Sequence, residues 1–456
     1  AVYPAFFQQS VAVAYSQHFI TYGLFFLSLG AMVWAVRRSH HFWSLTFLSL
    51  LSCLADLLTM EYFVGLELLR PLLLWFLVDD QPGGVRERLK KTLKLWAPYL
   101  LVLTLFIVWR SFFLNIPDDP NAPRFLLALR QQPVQAGIDL IQSVLRDFMY
   151  MLLLTWSRIM QPELITLQDR SILFSWIVGI IAAIGLSFIM LRLNFHDDES
   201  QHENKKKWVK QGLILGAYAI FVGLLPVWFT GRNLVQGLYA DRFALPALFG
   251  ASITLVCVVE LIRFDIPVSR QVQKTIILSL LIGLSISLHI RTSNNYRWDW
   301  VKQSRFYWQL HWRAPGIKPG TALVADGALS GYVSGYSAAA AVNTLYPQSD
   351  DNDNQSYWFF EFFRGYDQRI PDFIEGLWLG DSLRTLSFSG SSRNSLPIYY
   401  QPEGHCLWVL NSRDVDNTEL PEAMRKIVPH IDLDLIEAEE HAPGYPPENI
   451  FGSQPA

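Results

Sequence analysis

Cysteine is scarce in this chain of 456 residues, and the three present, Cys53, Cys257 and Cys406, are scattered. No disulfide framework and no paired-cysteine metal site can be built from them. The short motifs of soluble enzymes are missing as well. There is no GxxxxGK[ST] loop, no HExxH helix, no GxSxG elbow and no GxGxxG following a strand, which excludes those routes to phosphate binding, zinc hydrolysis, acyl transfer and dinucleotide binding. A surplus of positive charge is also lacking. The formal net charge is -3, so no nucleic-acid surface is indicated.

Lysine is nearly absent from the first 290 residues, and where it does occur is informative. It falls only at Lys90, Lys91 and Lys94, at Lys205, Lys206, Lys207 and Lys210, and at Lys274. Each group lies in a short polar gap between long apolar runs, while the alternate gaps carry arginines and acids without lysine. That bias places the lysine-bearing gaps on the cytoplasmic side of a membrane. The content of 51% hydrophobic and 14% aromatic residues fits a membrane protein diluted by a polar region.

Runs long enough to cross ~30 Å of hydrocarbon lie near 19–36, 42–60, 61–78, 95–113, 172–193, 211–230, 243–262 and 273–290. A ninth, near 138–160, is interrupted by Arg146, Asp147 and Arg158. Because the run ending at Phe113 must emerge outside and the run from Ile172 must lead inward, an even number of crossings separates them. Residues 138–160 are therefore expected as an amphipathic helix at the outer interface. The expected fold is a polytopic α-helical membrane protein with about 8 spans plus one interfacial helix. Thr59 to Tyr62 is the expected turn between the second and third runs, and Arg70 should pair with Glu67 one turn earlier.

Residues 291–456 hold 21 acidic against 13 basic side chains. They begin with a Trp-rich helical stretch, Trp298 to Trp312, suited to a membrane surface. Apolar runs of strand length follow, at Thr321–Asp326, Thr385–Phe388, Pro397–Tyr400 and Cys406–Leu410, with a helix expected over Pro421–Val428. The division is thus a transmembrane helical domain over 1–290 and a C-terminal extracytoplasmic α/β domain over 291–456, with Thr321–Asp326 and Cys406–Leu410 as its central strands. Asp350 to Asn354 lacks the glycine and terminal glutamate of a calcium loop and reads as a solvated polar segment.

The remaining chemistry consists of polar groups at the outer boundary: Tyr3, Gln8, Gln9 and His18 near the start, Glu61 and Arg110, then Arg232, Tyr239, Asp241 and Arg242. Arginine's rigid fork grips phosphate oxygens in pairs. Such arginines can hold a lipid phosphate or anchor helices to headgroups, and Arg232 and Arg242 are the ones expected to act on a substrate.

The order of features resembles the GT-C superfamily of membrane glycosyltransferases. Tyr3-Pro4 with Gln9-Ser-Val-Ala-Val looks like the family's third-helix region, and Glu61 to Pro71 looks like its Lys-Glu-x-Ala-x-x-x-Pro turn. Tyr239-Ala-Asp-Arg-Phe-Ala-Leu-Pro246 is similar to the Asp-Arg-Tyr-x-x-x-Pro segment of protein O-mannosyltransferases and their TMTC relatives. The resemblance covers residues 1 to about 290. It implies transfer of a sugar from a polyprenyl-phosphate donor at the outer membrane face. It further implies that Arg242 binds donor phosphate with Asp241 orienting it, and that Tyr239, Arg232 and Glu61 take part in substrate binding. The family's first extracytoplasmic loop, which usually carries the catalytic carboxylate, has no counterpart here, so no catalytic residue is assigned. No cofactor or resident metal site is expected, and dependence on a divalent metal is left open. The expected partners are a lipid-linked sugar donor and membrane lipids, with protein partners conceivable through 291–456. The competing reading is a non-catalytic membrane subunit or scaffold with an extracytoplasmic interaction domain.

Overall fold

The computed structural model describes residues 3–78, 84–114, 122–160, 170–193, 202–235, 240–262, 268–326, 329, 333–346, 354–361, 374–376, 378–383, 386–401, 406–428 and 436–437. The chain divides into two compact units, Ala1–Asn294 and Asn295–Ala456.

The first unit is helical. Its main elements are α1 (Ala12–Arg37), α2 (Phe42–Thr59), α3 (Leu69–Val78), α4 (Val85–Phe112), α5 (Arg124–Gln131), α6 (Pro133–Met149), the short α7 (Thr155–Ser157), α8 (Arg170–Arg192), α9 (His202–Phe229) and α10 (Leu248–Leu261). Among the described residues seven helices are long and apolar enough to cross a membrane: Tyr15–Arg37, Phe42–Thr59, Val85–Phe112, Arg170–Arg192, Lys205–Phe229, Asp241–Leu261 and Arg270–Arg313. Large apolar side chains on them, such as Phe47, Leu101, Ile181 and Ile184, are exposed, as suits a surface meeting lipid tails.

The third expected run, 61–78, is not one of these. It begins as a tight 3-10 helix, Glu61–Leu68, and only then becomes α3. Eight residues is long for this form, whose hydrogen bonds are poorer than those of the α-helix. What holds it is contact with α9. A Cβ built on Gly65 would stand 2.0 Å from the Val222 carbonyl oxygen and 2.9 Å from Pro226, so only glycine permits this approach. A second 3-10 segment, Asp241–Ala247, leads into α10 and packs on the same helix, where Gly223 meets Pro246.

Residues 133–160 are likewise not among these helices. Val134, Ile138, Ile141, Leu145 and Met149 are exposed along one face of α6, while Ala136 and Asp147 are buried on the other. One i, i+4, i+7 stripe therefore faces outward and a second face packs on the helical core.

The long helix α11, Arg270–Arg313, carries the Trp-rich stretch as a continuation of the last apolar run. At 1.5 Å per residue its 44 residues extend about 66 Å.

The second unit contains a four-stranded sheet in the order β3-β2-β6-β7, built from β2 (Thr321–Ala325), β3 (Tyr357–Glu361), β6 (Ser395–Gln401) and β7 (Cys406–Val409). Strand β2 runs parallel to β3 and β6 on either side, and β7 is antiparallel to β6. Helix α12 (Gly335–Leu345) makes the crossover from β2 to β3. Two antiparallel pairs lie outside this sheet, β1 (Gly316–Ile317) with β8 (Ile436–Glu437) and β4 (Trp378–Leu383) with β5 (Leu386–Ser391). Glu422–Ile427 forms α13 where a helix was expected.

The expectation for Thr321–Asp326 agrees with the structure, since β2 is central and every residue in it is buried. That for Cys406–Leu410 does not. Strand β7 is an edge strand with only Leu407 fully buried; its apolar run packs on one face, and apolarity alone does not distinguish a central from an edge position.

Candidate functional site

A cavity of about 720 Å³ opens within the first unit among the Glu61–Leu68 3-10 helix, α4 and α9. Its wall is mainly apolar, from Leu103, Phe106, Leu225 and Phe229, with polar groups at Glu61, Tyr62, Arg110, Thr230 and Arg232. Glu61 and Arg110 are ion-paired, Nε to Oε1, at 2.5 Å. Phe243 belongs to the wall and organises the cations: the Arg232 guanidinium lies 4.9 Å and that of Arg242 5.1 Å from its ring centre. Tyr62 meets the same ring edge-on.

Beyond Phe243 the groups are more deeply buried. The Tyr62 hydroxyl is hydrogen-bonded to His18 Nε2, and Arg242 is near enough to act electrostatically on both. Asp241 is buried, and its Oδ2 accepts a hydrogen bond from the Phe7 amide at 2.9 Å. The guanidinium of Arg158 stacks 4.0 Å from the Phe7 ring centre and interacts with both Asp241 and Tyr150. Burial lifts the Tyr150 phenol above its ordinary value and lowers Arg158 below its own, each partly opposed by the other's presence. The opening segment is tied in by Tyr3, whose hydroxyl donates to the Met151 carbonyl and accepts from Trp156 Nε1.

The local backbone accounts for this convergence. Gln8, Glu61, Arg158 and Asp241 each begin a 3-10 segment, and Tyr150 begins a π turn over Tyr150–Leu154. These tighter or looser turns re-aim a side chain relative to a regular α-helix and concentrate at functional or strained places.

The structure thus brings Glu61, Arg232, Asp241 and Arg242 into one neighbourhood, with Arg232 and Arg242 sharing an aromatic ring. Tyr239 lies outside the described residues. Asp241 spends its described hydrogen bond on the Phe7 amide, and Arg242 stacks on Phe243. Sequence reasoning did not single out Tyr62, Tyr150 or Phe243, and treated Arg158 only as an interruption. The adjacency of Phe243 to Arg242 was the available signal, since arginine favours aromatic faces.

A separate polar knot lies deeper in the helical core. Glu67 and Arg70, 1% and 0% exposed, form the expected pair, Nη2 to Oε1 at 2.7 Å. Cys53 donates to Glu67 Oε2 at 3.2 Å, Ser28 accepts from Arg70 at 3.0 Å, and the Tyr99 ring centre lies 4.6 Å from its guanidinium. Fully buried Asp56 also faces this pair, and neither of its carboxylate oxygens has a hydrogen-bond partner.

Among the described residues no group of three or more His, Cys, Asp or Glu side chains is placed to hold a metal ion. No protein-family model, no curated protein and no solved structure matches the chain.

Proposed function

We propose that the first unit is an integral membrane domain with its lysine-bearing gaps on the cytoplasmic side, and that it handles a lipid-linked sugar at the outer face, transferring the sugar from a polyprenyl-phosphate carrier. The observation carrying this reading is the mainly apolar cavity whose wall holds Arg232 and Phe243, with Arg242 against the same aromatic ring. A prenyl chain suits the apolar wall. A phosphate suits the arginine forks, whose charge would offset that of a departing phosphate. In this arrangement α5 and α6 lie along the outer interface, and the second unit is extracytoplasmic, where it meets the acceptor or a partner protein.

The test is binding and transfer by the reconstituted chain, with farnesyl phosphate as binding probe and a short polyprenyl phosphosugar as donor. Arg242→Ala should abolish binding and transfer while leaving insertion intact. Arg242→Lys should restore them only in part, because an ammonium cannot make the paired contact. Undiminished binding by Arg242→Lys would remove the phosphate role, since a headgroup anchor tolerates either cation.

The alternative, a non-catalytic membrane subunit, draws support from the ion pair of Glu61 with Arg110. Glu61 is the one acid among the described lining residues, and its engagement leaves the cavity wall without an evident base. Farnesyl phosphate binding without transfer would favour this reading.

A further inference from the structure

Two arginine–glutamate pairs among the described residues differ in access. Glu67 with Arg70 is sealed, whereas the side chains of Glu61 and Arg110 are 34% and 18% exposed and both stand in the wall of the apolar cavity. A sealed pair meets nothing to exchange with. An accessible one adds little as a tie between elements, and its cation stays within reach of a stronger anion that enters. The cavity is also graded in polarity. Glu61 opens the 3-10 helix, Arg110 lies in the last turn of α4, and Thr230 and Arg232 follow the end of α9. About two turns further along the same elements the wall is Leu68, Leu103 and Leu225, on the order of 10 Å from the charged end. Ile107 of α4 and Phe229 of α9 also line the cavity and are 50% and 38% exposed. The apolar wall thus extends to the outer surface of two helices long and apolar enough to cross a membrane.

An occupant must suit both ends. A neutral apolar molecule fills the leucine wall and leaves the charged end as it is; a soluble phosphate does the reverse. An anion on an apolar chain suits both, with its chain passing sideways into lipid. A carboxylate already holds Arg110, so the incoming anion must displace it. A phosphomonoester can do so, because it brings three acceptor oxygens and close to two negative charges against the single charge of Glu61. Arg232, set by its stacking on Phe243 at 4.9 Å, supplies the second cation of the wall. We infer that Arg110 and Arg232 form an exchangeable anion site for the phosphomonoester head of a prenyl lipid, with Glu61 as the counter-ion that holds Arg110 until the phosphate displaces it. This deepens the proposed transfer, and rests on it only for the identity of the lipid. In that reaction the carrier enters as a singly charged phosphodiester and leaves as the monoester, so Arg110 is drawn from Glu61 as charge collects on the phosphate.

The experiment is saturation binding of radiolabelled farnesyl phosphate to the full chain in phosphatidylcholine nanodiscs, corrected with empty nanodiscs, and thermal unfolding without ligand as the check on folding. Arg110→Gln should weaken binding at least about tenfold, by loss of a charge-assisted contact. Glu61→Gln should tighten it about fivefold, by loss of the competing carboxylate. The double variant should bind at least about tenfold more weakly than Glu61→Gln alone, which shows Arg110 acting on the lipid and not through Glu61. A pair that merely ties the 3-10 helix to α4 would instead weaken binding in both single variants. Binding unchanged or weakened in Glu61→Gln would overturn the exchange, as would a double variant equal to Glu61→Gln. Competition by farnesol or by the methyl diester of farnesyl phosphate as strong as by farnesyl phosphate itself would overturn the monoester head. Equal competition by phosphatidic acid would keep the anion site and assign it to a bulk membrane lipid, sinking the carrier reading alone. Normal transfer by Arg110→Gln would sink the exchange alone.

Discussion

Arg70 is the largest wholly buried side chain among the described residues, and it is held by Glu67 on the preceding turn through two hydrogen bonds, Nε to Oε2 at 2.5 Å and Nη2 to Oε1 at 2.7 Å. A bidentate pair at this depth has no water to replace either partner. Arg70→Met and Glu67→Gln should each destabilise the chain by roughly 3–5 kcal/mol, because each strands a buried charge, whereas Glu67→Leu with Arg70→Met should cost far less. Thermal unfolding in detergent checks this; a double variant as unstable as the single ones would reject it.

Asp56 shares that buried cluster without a hydrogen bond of its own. Replacing an unsatisfied buried carboxylate with an amide or a leucine removes a desolvation cost. Asp56→Asn and Asp56→Leu are therefore expected to unfold at temperatures equal to or above the unaltered chain. A marked loss of stability would show instead that the carboxylate has a structural partner.

Glycine contacts along α9 offer a graded test. Gly65→Ala places a methyl 2.0 Å from the Val222 carbonyl oxygen, and Gly223→Ala places one 2.9 Å from the Pro246 backbone. Each should cost on the order of 1–3 kcal/mol through forced separation of the packed elements. Gly137→Ala in α6 meets nothing within 4 Å and should be neutral or slightly stabilising. Similar melting temperatures for all three would mean that the close approach is not a constraint.

Asp147 gives a pH dependence of defined sign. Its carboxylate is buried and accepts from Trp228 Nε1 at 2.9 Å and from Arg146 at 3.1 Å. Burial is the largest influence and raises its pKa above the ordinary carboxylate value, despite both hydrogen bonds. The folded state therefore holds this proton more tightly than the unfolded chain. That contribution is greatest below the unfolded pKa and is lost as pH rises through the folded value. Asp147→Asn should flatten the fall in stability above about pH 4 while keeping an acceptor for Trp228. An unchanged slope in unfolding temperature against pH would exclude Asp147 as its source.

Topology can be read with an introduced thiol. Thr344→Cys on α12 adds an exposed position to the second unit, while native Cys53 and Cys257 are buried. Intact cells or right-side-out vesicles should label Thr344→Cys with an impermeant maleimide. Labelling only after permeabilisation would reverse the assigned orientation of the whole chain.

The lysine gaps and the long apolar runs were legible because hydropathy and charge bias are summed over many residues and do not depend on what packs against what. The Glu67–Arg70 pair was legible for a related reason: its partners are one helical turn apart, so local geometry alone brings them together. The central place of β2 followed from an apolar run without polar alternation, but the edge position of β7 did not, because it depends on which strand pairs beside it. The 3-10 form of 61–68 was hidden, since the element it packs on, which Gly65 meets at the carbonyl of Val222, lies more than 150 residues away in sequence.

The sequence by itself determined that this chain is rich in helices able to cross a membrane and ends in a region with strands, and it marked Glu61, Arg232, Asp241 and Arg242 as groups at one boundary. Tertiary structure decided how they are divided. Arg232 and Arg242 came to share Phe243, Glu61 was taken up by Arg110, and Asp241 turned to the Phe7 amide beside Gln8. Glu61 with Arg110 and Asp241 with Phe7 join positions 49 and 234 residues apart, and side chains at such separations acquire partners only when packing fixes the helices that carry them.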